Sequence, residues 1–133
     1  MKISDILKLK TVAIVGMSRS PKKDSYSVAE YLKSRGYTIV PVNPMAMEIL
    51  GEKCHVSLKD IPFPVDIVDV FRPSADVLSI AKEAVELKKS TGKPLVLWMQ
   101  LGIENMEARK IAESAGMTVV ENKCIKIEHE RVI

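Results

Sequence analysis

The stretch from Gly16 to Ser27, GMSRSPKKDSYS, holds the densest set of groups able to grip an anion. Gly16 lets the backbone turn tightly and approach a ligand closely. Ser18, Ser20, Ser25 and Ser27 supply hydroxyl donors, and Arg19, Lys22 and Lys23 set three positive charges against one negative, Asp24. An apolar β-branched run precedes this stretch and a helical pattern follows it. A helix that starts there aims free N–H groups and a positive dipole end at the loop. That combination suits a phosphate or a pyrophosphate. Alone, a basic loop is ordinary solvated surface; its place after the first strand of an α/β pattern favours the anion.

Other chemistry-bearing residues are sparser. Arg72 ends the apolar run VDIVDVF and can reach a ligand phosphate or form a surface ion pair. Gln100 stands just past another apolar run and is a ligand candidate. Trp98, the single tryptophan, is open between core packing and ligand contact. Asp66 and Asp69 lie at odd spacing, so a strand would point them to opposite faces. They read as structural rather than as an acid/base pair. Met45, Met47 and Met99 read as gap-fillers. Cys54 and His55 fall in an irregular segment expected to be exposed, and both read as incidental. The 2 cysteines and 2 histidines are scattered. They form neither a disulfide framework nor a zinc set.

The elements that must position these groups follow from the hydrophobic pattern. A short helix is expected over residues 4–9, capped by Ser4 or Asp5. A strand over 11–15 is apolar throughout, as in a strand buried on both faces. A helix begins near Ser25 to Ser27, with Ser27 and Glu30 at capping-box spacing and Gly36 as its stop. A strand over 37–42 comes next. Residues 43–64 are broken by prolines and Gly51, with room for one short helix and one short edge strand. Further strands are expected over 65–71, 94–99 and 117–120. Ser74 and Asn105 can cap the helices between them. The first of these has a stripe of Val77, Leu78, Ala81, Ala84, Val85 and Leu87. The second faces Met106, Ile111 and Ala112 inward and stops at Gly116. No structure is assigned to residues 124–133. The alternation predicts a Rossmann-like, three-layer α/β domain with a mainly parallel sheet of about five strands.

Composition sets the outer bounds. The 133 residues fit one domain, 1–133, and are 47% hydrophobic and 28% charged. A net charge of +3 permits an anionic ligand but lacks the dense basic stripe of a nucleic-acid binder. No apolar run approaches the ~18 residues of a membrane span. The N-terminus lacks the apolar core of a signal peptide. A cytoplasmic location is the default expectation.

The loop also discriminates among ligands. The dinucleotide fingerprint needs G-x-G-x-x-G and an acidic residue after the second strand. Here Ser18 and Pro21 replace the second and third glycines, and Asn43 ends the second strand. Ordinary NAD is disfavoured; coenzyme A or NADP, with more phosphate, agrees better with the charge.

Six segments in order then resemble a known family: VAIVGMSRSPKKDSYSVAEYLKSRGY, IVPVNP, GEKCHVSLKDIP, VDIVDVFRPSADV, LWMQLGI and AGMTVVENKCIKIEH. They resemble the small stand-alone CoA-binding proteins, relatives of the N-terminal domain of the succinyl-CoA synthetase α subunit. The resemblance implies a Rossmann-type domain that binds coenzyme A. It implies that Gly16, Ser18 and Arg19 contact the pyrophosphate, with Lys23, Ser25 and Tyr26 closing the loop. Val42, Asn43 and Pro44 would line the adenosine end, and Phe71, Arg72 and Pro73 the opposite wall. Trp98, Gln100 and Gly102 would flank the pantetheine arm. Cys124 would be a thiol partner for the coenzyme if it lies near the tip of that arm. The chain departs from the synthetase domain by lacking further loop glycines and a lysine after the second strand. A 3′-phosphate contact would then fall to Arg19, Lys22 or Lys23.

No nucleophile–base pair stands out, so the expectation is a module that binds CoA or acyl-CoA without chemistry of its own. Two alternatives stay open: a CoA-binding subunit of an acyl-CoA synthetase-type enzyme assembled in trans, and an NADP-binding redox sensor. No segment marks an interface, so a homodimer is left open.

Overall fold

The computed structural model describes residues 1–133. In chain order the elements are α1 (Ile3–Ile6), β1 (Thr11–Val15), α2 (Asp24–Ser34), β2 (Thr38–Val42), β3 (Glu48–Ile49) and β4 (Glu52–Lys53). They continue with β5 (Ile67–Val70), α3 (Val77–Thr91), β6 (Val96–Met99), α4 (Met106–Ser114), β7 (Thr118–Val120) and α5 (Ile125–Val132). Five strands make one sheet in the order β2-β1-β5-β6-β7, and every pairing is parallel. The expected α/β Rossmann-like fold is therefore the observed one.

Strand alternation divides the core. Ala13, Val15, Val68, Val70, Leu97 and Met99 face α3 and α4. Val12, Ile14, Ile67, Val96 and Trp98 face α1, α2 and α5. Covering both faces explains why the strands read as unbroken apolar runs.

Several boundaries differ from expectation. α1 starts at Ile3, and Asp5 lies inside it, accepting from the Lys2 N–H at 3.2 Å. α2 starts at Asp24, so Ser27 lies in its first turn and its hydroxyl donates to Asp24 O rather than capping. α3 follows a 3₁₀ turn over Ser74–Asp76, and Asp76, not Ser74, is its cap. Its fully buried stripe includes Ile80, which the pattern missed, while Leu78, Val85 and Leu87 are half-buried. α4 does start from Asn105, whose Oδ1 accepts from Ala108 N at 2.9 Å. Met106 does not face inward and is 71% exposed. It sits two residues from buried Ala108, and at about 100° per residue that is the opposite side of the helix. Residues 43–64 hold the two-residue hairpin β3–β4 and a 3₁₀ turn over Leu58–Asp60.

The tail forms α5, unread in the sequence because only Ile125 and His129 of its residues are buried. The His129 Nδ1 and Tyr31 Oη are hydrogen-bonded at 2.6 Å, and the rings meet edge-to-face. Burial, and then the charges of Arg35 and Lys10, lower the His129 pKa. This pair fastens α5 against α2.

The two strand carboxylates have separate fates. Asp66 accepts from Thr11 N at 3.1 Å and pairs with Lys93 Nζ at 2.5 Å, clamping the entry of β5 to β1. Asp69 is fully buried, and neither carboxylate oxygen has a hydrogen-bond partner. Burial pushes its carboxyl well above the usual range. The folded chain then keeps a proton that the unfolded chain releases above about pH 4. Stability falls as pH rises from there towards the folded pKa, by up to about 1.4 kcal/mol per pH unit. Asp69→Asn removes this dependence. In thermal melts the variant is expected to match the parent near pH 4 and exceed it at pH 7. An equal difference at both values would show that Asp69 is not held protonated.

Candidate functional site

The strand order reverses between β1 and β5, whose neighbours β2 and β6 lie on opposite sides. In open parallel sheets that switch point, at the carboxyl ends, is where ligands bind. Gly16 leaves β1 there with φ +85°. A Cβ on it would sit 2.8 Å from Arg72 Cδ and 3.1 Å from Phe71 O. Only glycine accommodates both the backbone angle and that approach. Gly16 N donates to Val42 O at 3.0 Å, which brings the exit of β2 alongside.

The loop beyond Gly16 is organised by its serines. Ser25 Oγ accepts from Ser18 N at 2.9 Å, and Ser18 Oγ accepts from Ser20 N at 3.0 Å. Ser25 is buried. These hydroxyl oxygens hold the loop's own backbone; they are not simply donors waiting for a ligand. The first turn of α2 still presents N–H groups without partners inside the helix. Arg19, Lys22 and Lys23 are exposed around that mouth.

Two clefts flank this edge. The first, of about 480 Å³, lies on the α3 side. Of the expected residues, Gly16, Ser18, Val42, Asn43, Pro44 and Arg72 line it. Asn43 also clamps its rim: Nδ2 donates to Met17 O at 2.8 Å, and Oδ1 accepts from Met45 N at 2.7 Å. Arg72 Nη2 pairs with Asp76 at 3.0 Å in the exposed mouth. Sequence reasoning missed the far wall, made by Val56, Ser57 and Leu58 with Ser79, Ile80 and Glu83 of α3. Residues 56–58 come near because His55 bridges to Val42 beside β2: His55 N donates to Pro41 O and Asn43 N to His55 O, both at 3.0 Å. The helical spacing of Asp76, Ile80 and Glu83 was the only signal for the α3 wall.

The second cleft, of about 320 Å³, lies on the other face, between α2 and α5. Phe71, Gln100 and Cys124 line it, with Val28, Leu101 and Ile103 as apolar neighbours. Phe71 and Arg72 are consecutive residues, yet they open on opposite clefts.

The other expected residues sit elsewhere. Trp98 is fully buried and its Nε1 donates to Lys123 O at 2.7 Å. It supports the wall and does not contact the cleft, because its strand position points into the core between sheet and α5. Gly102 is exposed, with φ +79°, and its N–H donates to Asn122 Oδ1 at 2.7 Å. Arg19, Lys23, Ser25, Tyr26 and Pro73 line neither cleft. Tyr26 packs against the core on the α2 side. Cys54 is 8% exposed rather than solvent-facing, because β4 folds back over β2. Burial, then the charge of Glu48, pushes its thiol pKa up. No group of three or more His, Cys, Asp or Glu side chains is arranged to hold a metal ion, and no helix is long and apolar enough to cross a membrane.

Known proteins give this geometry a context. The Bacillus subtilis uncharacterized protein YneT is 41% identical over 129 residues, covering 96% of this chain and 92% of that one. A Thermus thermophilus structure described as cell-free ID.343 superposes with a TM-score of 0.91 at 34% identity, covering 100% of both chains. The α subunit of ADP-forming acetate–CoA ligase II from Pyrococcus furiosus is 29% identical over 124 residues, 87% of this chain. The chain spans only 27% of that subunit's length. The family model described as a CoA binding domain matches residues 10–130. With that match over most of its length, the chain belongs to the CoA-binding domain family.

Proposed function

We propose that the protein binds coenzyme A or an acyl-CoA across its two clefts, as a binding or regulatory module without catalysis of its own. The observation that carries this is that the consecutive residues Phe71 and Arg72 line the two clefts, one each. A ligand with one nucleotide half and one long arm can occupy both faces of the sheet edge by crossing there. The pyrophosphate rests at Gly16, Ser18 and the start of α2. Arg19, Lys22 and Lys23 are free to turn towards the 3′-phosphate. Val42, Asn43 and Pro44 take the adenosine. Asp76 and Glu83 make the α3 wall acidic, which repels phosphate and keeps it at the loop. The arm passes Phe71 into the second cleft, beside Gln100 and apolar side chains. Catalysis is not part of this reading: the one carboxylate-bonded hydroxyl lining either cleft, Ser57 to Asp60 at 2.8 Å, is an exposed contact within a single turn, and no side chain lining either cleft bonds to a histidine.

The ligase relative supports a second reading, in which the chain supplies the CoA site to an acyl-CoA synthetase-type enzyme assembled in trans. Co-purification with an ATP-dependent subunit, and acyl-CoA formation by the pair alone, would favour that reading.

Isothermal titration with CoA tests the main proposal. The expected result is one site per chain, weaker binding of 3′-dephospho-CoA, and no displacement by NADPH. No heat with CoA, or tighter NADPH binding, overturns it. Arg72→Ala is expected to weaken CoA at least about tenfold, since a hydrogen bond to a charged group contributes about 1.5–3 kcal/mol.

Gly16→Ala forces a Cβ against Arg72 and Phe71 at a strained backbone angle. The expected stability loss is about 1–3 kcal/mol, with CoA binding lost in the same variant. Urea melts and titration read the two effects separately.

A further inference from the structure

The wall of the second cleft is built to hold one thiol in place. Cys124 is half-buried and lines the cleft as the residue before α5. Its neighbours are anchored on both sides. Lys123 N donates to Met99 O at 3.3 Å, and Lys123 O accepts from Trp98 Nε1 at 2.7 Å. Ile125 N donates to Gln100 Oε1 at 3.0 Å. The backbone of Cys124 is thereby fixed, and its Sγ moves only by side-chain rotation.

A second observation points to an occupant. Gln100 is 4% exposed and lines the same cleft. Its Oε1 accepts from Ile125 N, and its Nε2, which reaches the surface of the cleft, has no partner in the chain. A nearly buried amide with unused donors calls for an acceptor in the cleft. Cys54 gives the contrast: it is buried in the core on the α2 side and opens on neither cleft. One thiol is presented and the other withheld.

We infer that Cys124 is a thiol–disulfide exchange site for the thiol end of the ligand, with Gln100 Nε2 donating to an amide carbonyl of its arm. This rests on the CoA reading. The oxidant is the disulfide form of the coenzyme. The Cys124 thiol gives its proton to solvent, and the thiolate attacks one sulfur of CoA disulfide. A Cys124–S–S–CoA bond forms, the original S–S bond breaks, and the departing CoA thiolate takes up a proton. Cys124 is oxidised and the released CoA is reduced.

The test is intact-mass spectrometry of the full chain, without reductant, after incubation with CoA disulfide or with glutathione disulfide. The expected result is one CoA adduct at Cys124, removed by dithiothreitol. It should be absent in Cys124→Ser and unchanged in Cys54→Ala. Labelling by CoA disulfide should be at least about tenfold faster than by glutathione disulfide, as expected when binding positions the reactant. Excess adenosine 3′,5′-bisphosphate should slow the first and not the second. No adduct, an adduct at Cys54, or equal rates with the two disulfides overturns the inference. Titration of the parent chain with reduced CoA is run alongside. Heat there without any adduct defeats the exchange step and leaves the binding proposal standing.

Discussion

The approach of Phe71 and Arg72 to Gly16 is the contact on which the site's geometry depends. β1 and β5 are paired at the centre of the sheet, and their carboxyl ends run so close that a Cβ at Gly16 would sit 2.8 Å from Arg72 Cδ. With only hydrogen there, the Arg72 side chain crosses over the turn and reaches one cleft. The residue before it reaches the other. A bulkier residue at Gly16 would press on Arg72 and on the Phe71 carbonyl.

Strand alternation then decides which chemistry each cleft receives. Positions on β5 and β6 that point towards α2 and α5 are Asp69 and Phe71, Trp98 and Gln100. Their inner members, Asp69 and Trp98, are fully buried; their outer members, Phe71 and Gln100, line the second cleft. Trp98 and Gln100 both bond to residues 123–125, so two consecutive inward positions of one strand hold the segment that carries Cys124. Polar groups in this layer are thus either used to position the tail or, for Asp69, left without a partner.

Opposite charges border the first cleft. Cations and helix N–H groups gather at the loop after β1, and carboxylates at the α3 wall. In the CoA reading proposed above, a ligand with phosphates at one point and amine or hydroxyl donors at another is oriented by that gradient. The pairing of Arg72 with Asp76 is an exposed ion pair, worth little on its own. Membership of the CoA-binding domain family is consistent with a small-molecule ligand for the protein.

Legible in the amino-acid sequence were the parallel sheet, the position of the loop at Gly16, the start of α4 at Asn105 and the glycine stops of α2 and α4. These follow from local signals: unbroken apolar runs, helical spacing, and the glycines that stop helices. It also placed Gly16, Ser18, Asn43 and Arg72 at one edge, because strand ends in an α/β pattern converge. It misjudged Met106 and Cys54, and left Trp98 open, because exposure is set by what packs against a residue from elsewhere in the chain. α5 was invisible because only two of its side chains are buried, too few to make a pattern. The wall formed by residues 56–58 required the long-range bridge of His55 to β2. The second cleft was decided by tertiary structure alone. It exists only where α5, held by Tyr31–His129 and by Gln100, is brought against the exits of β5 and β6.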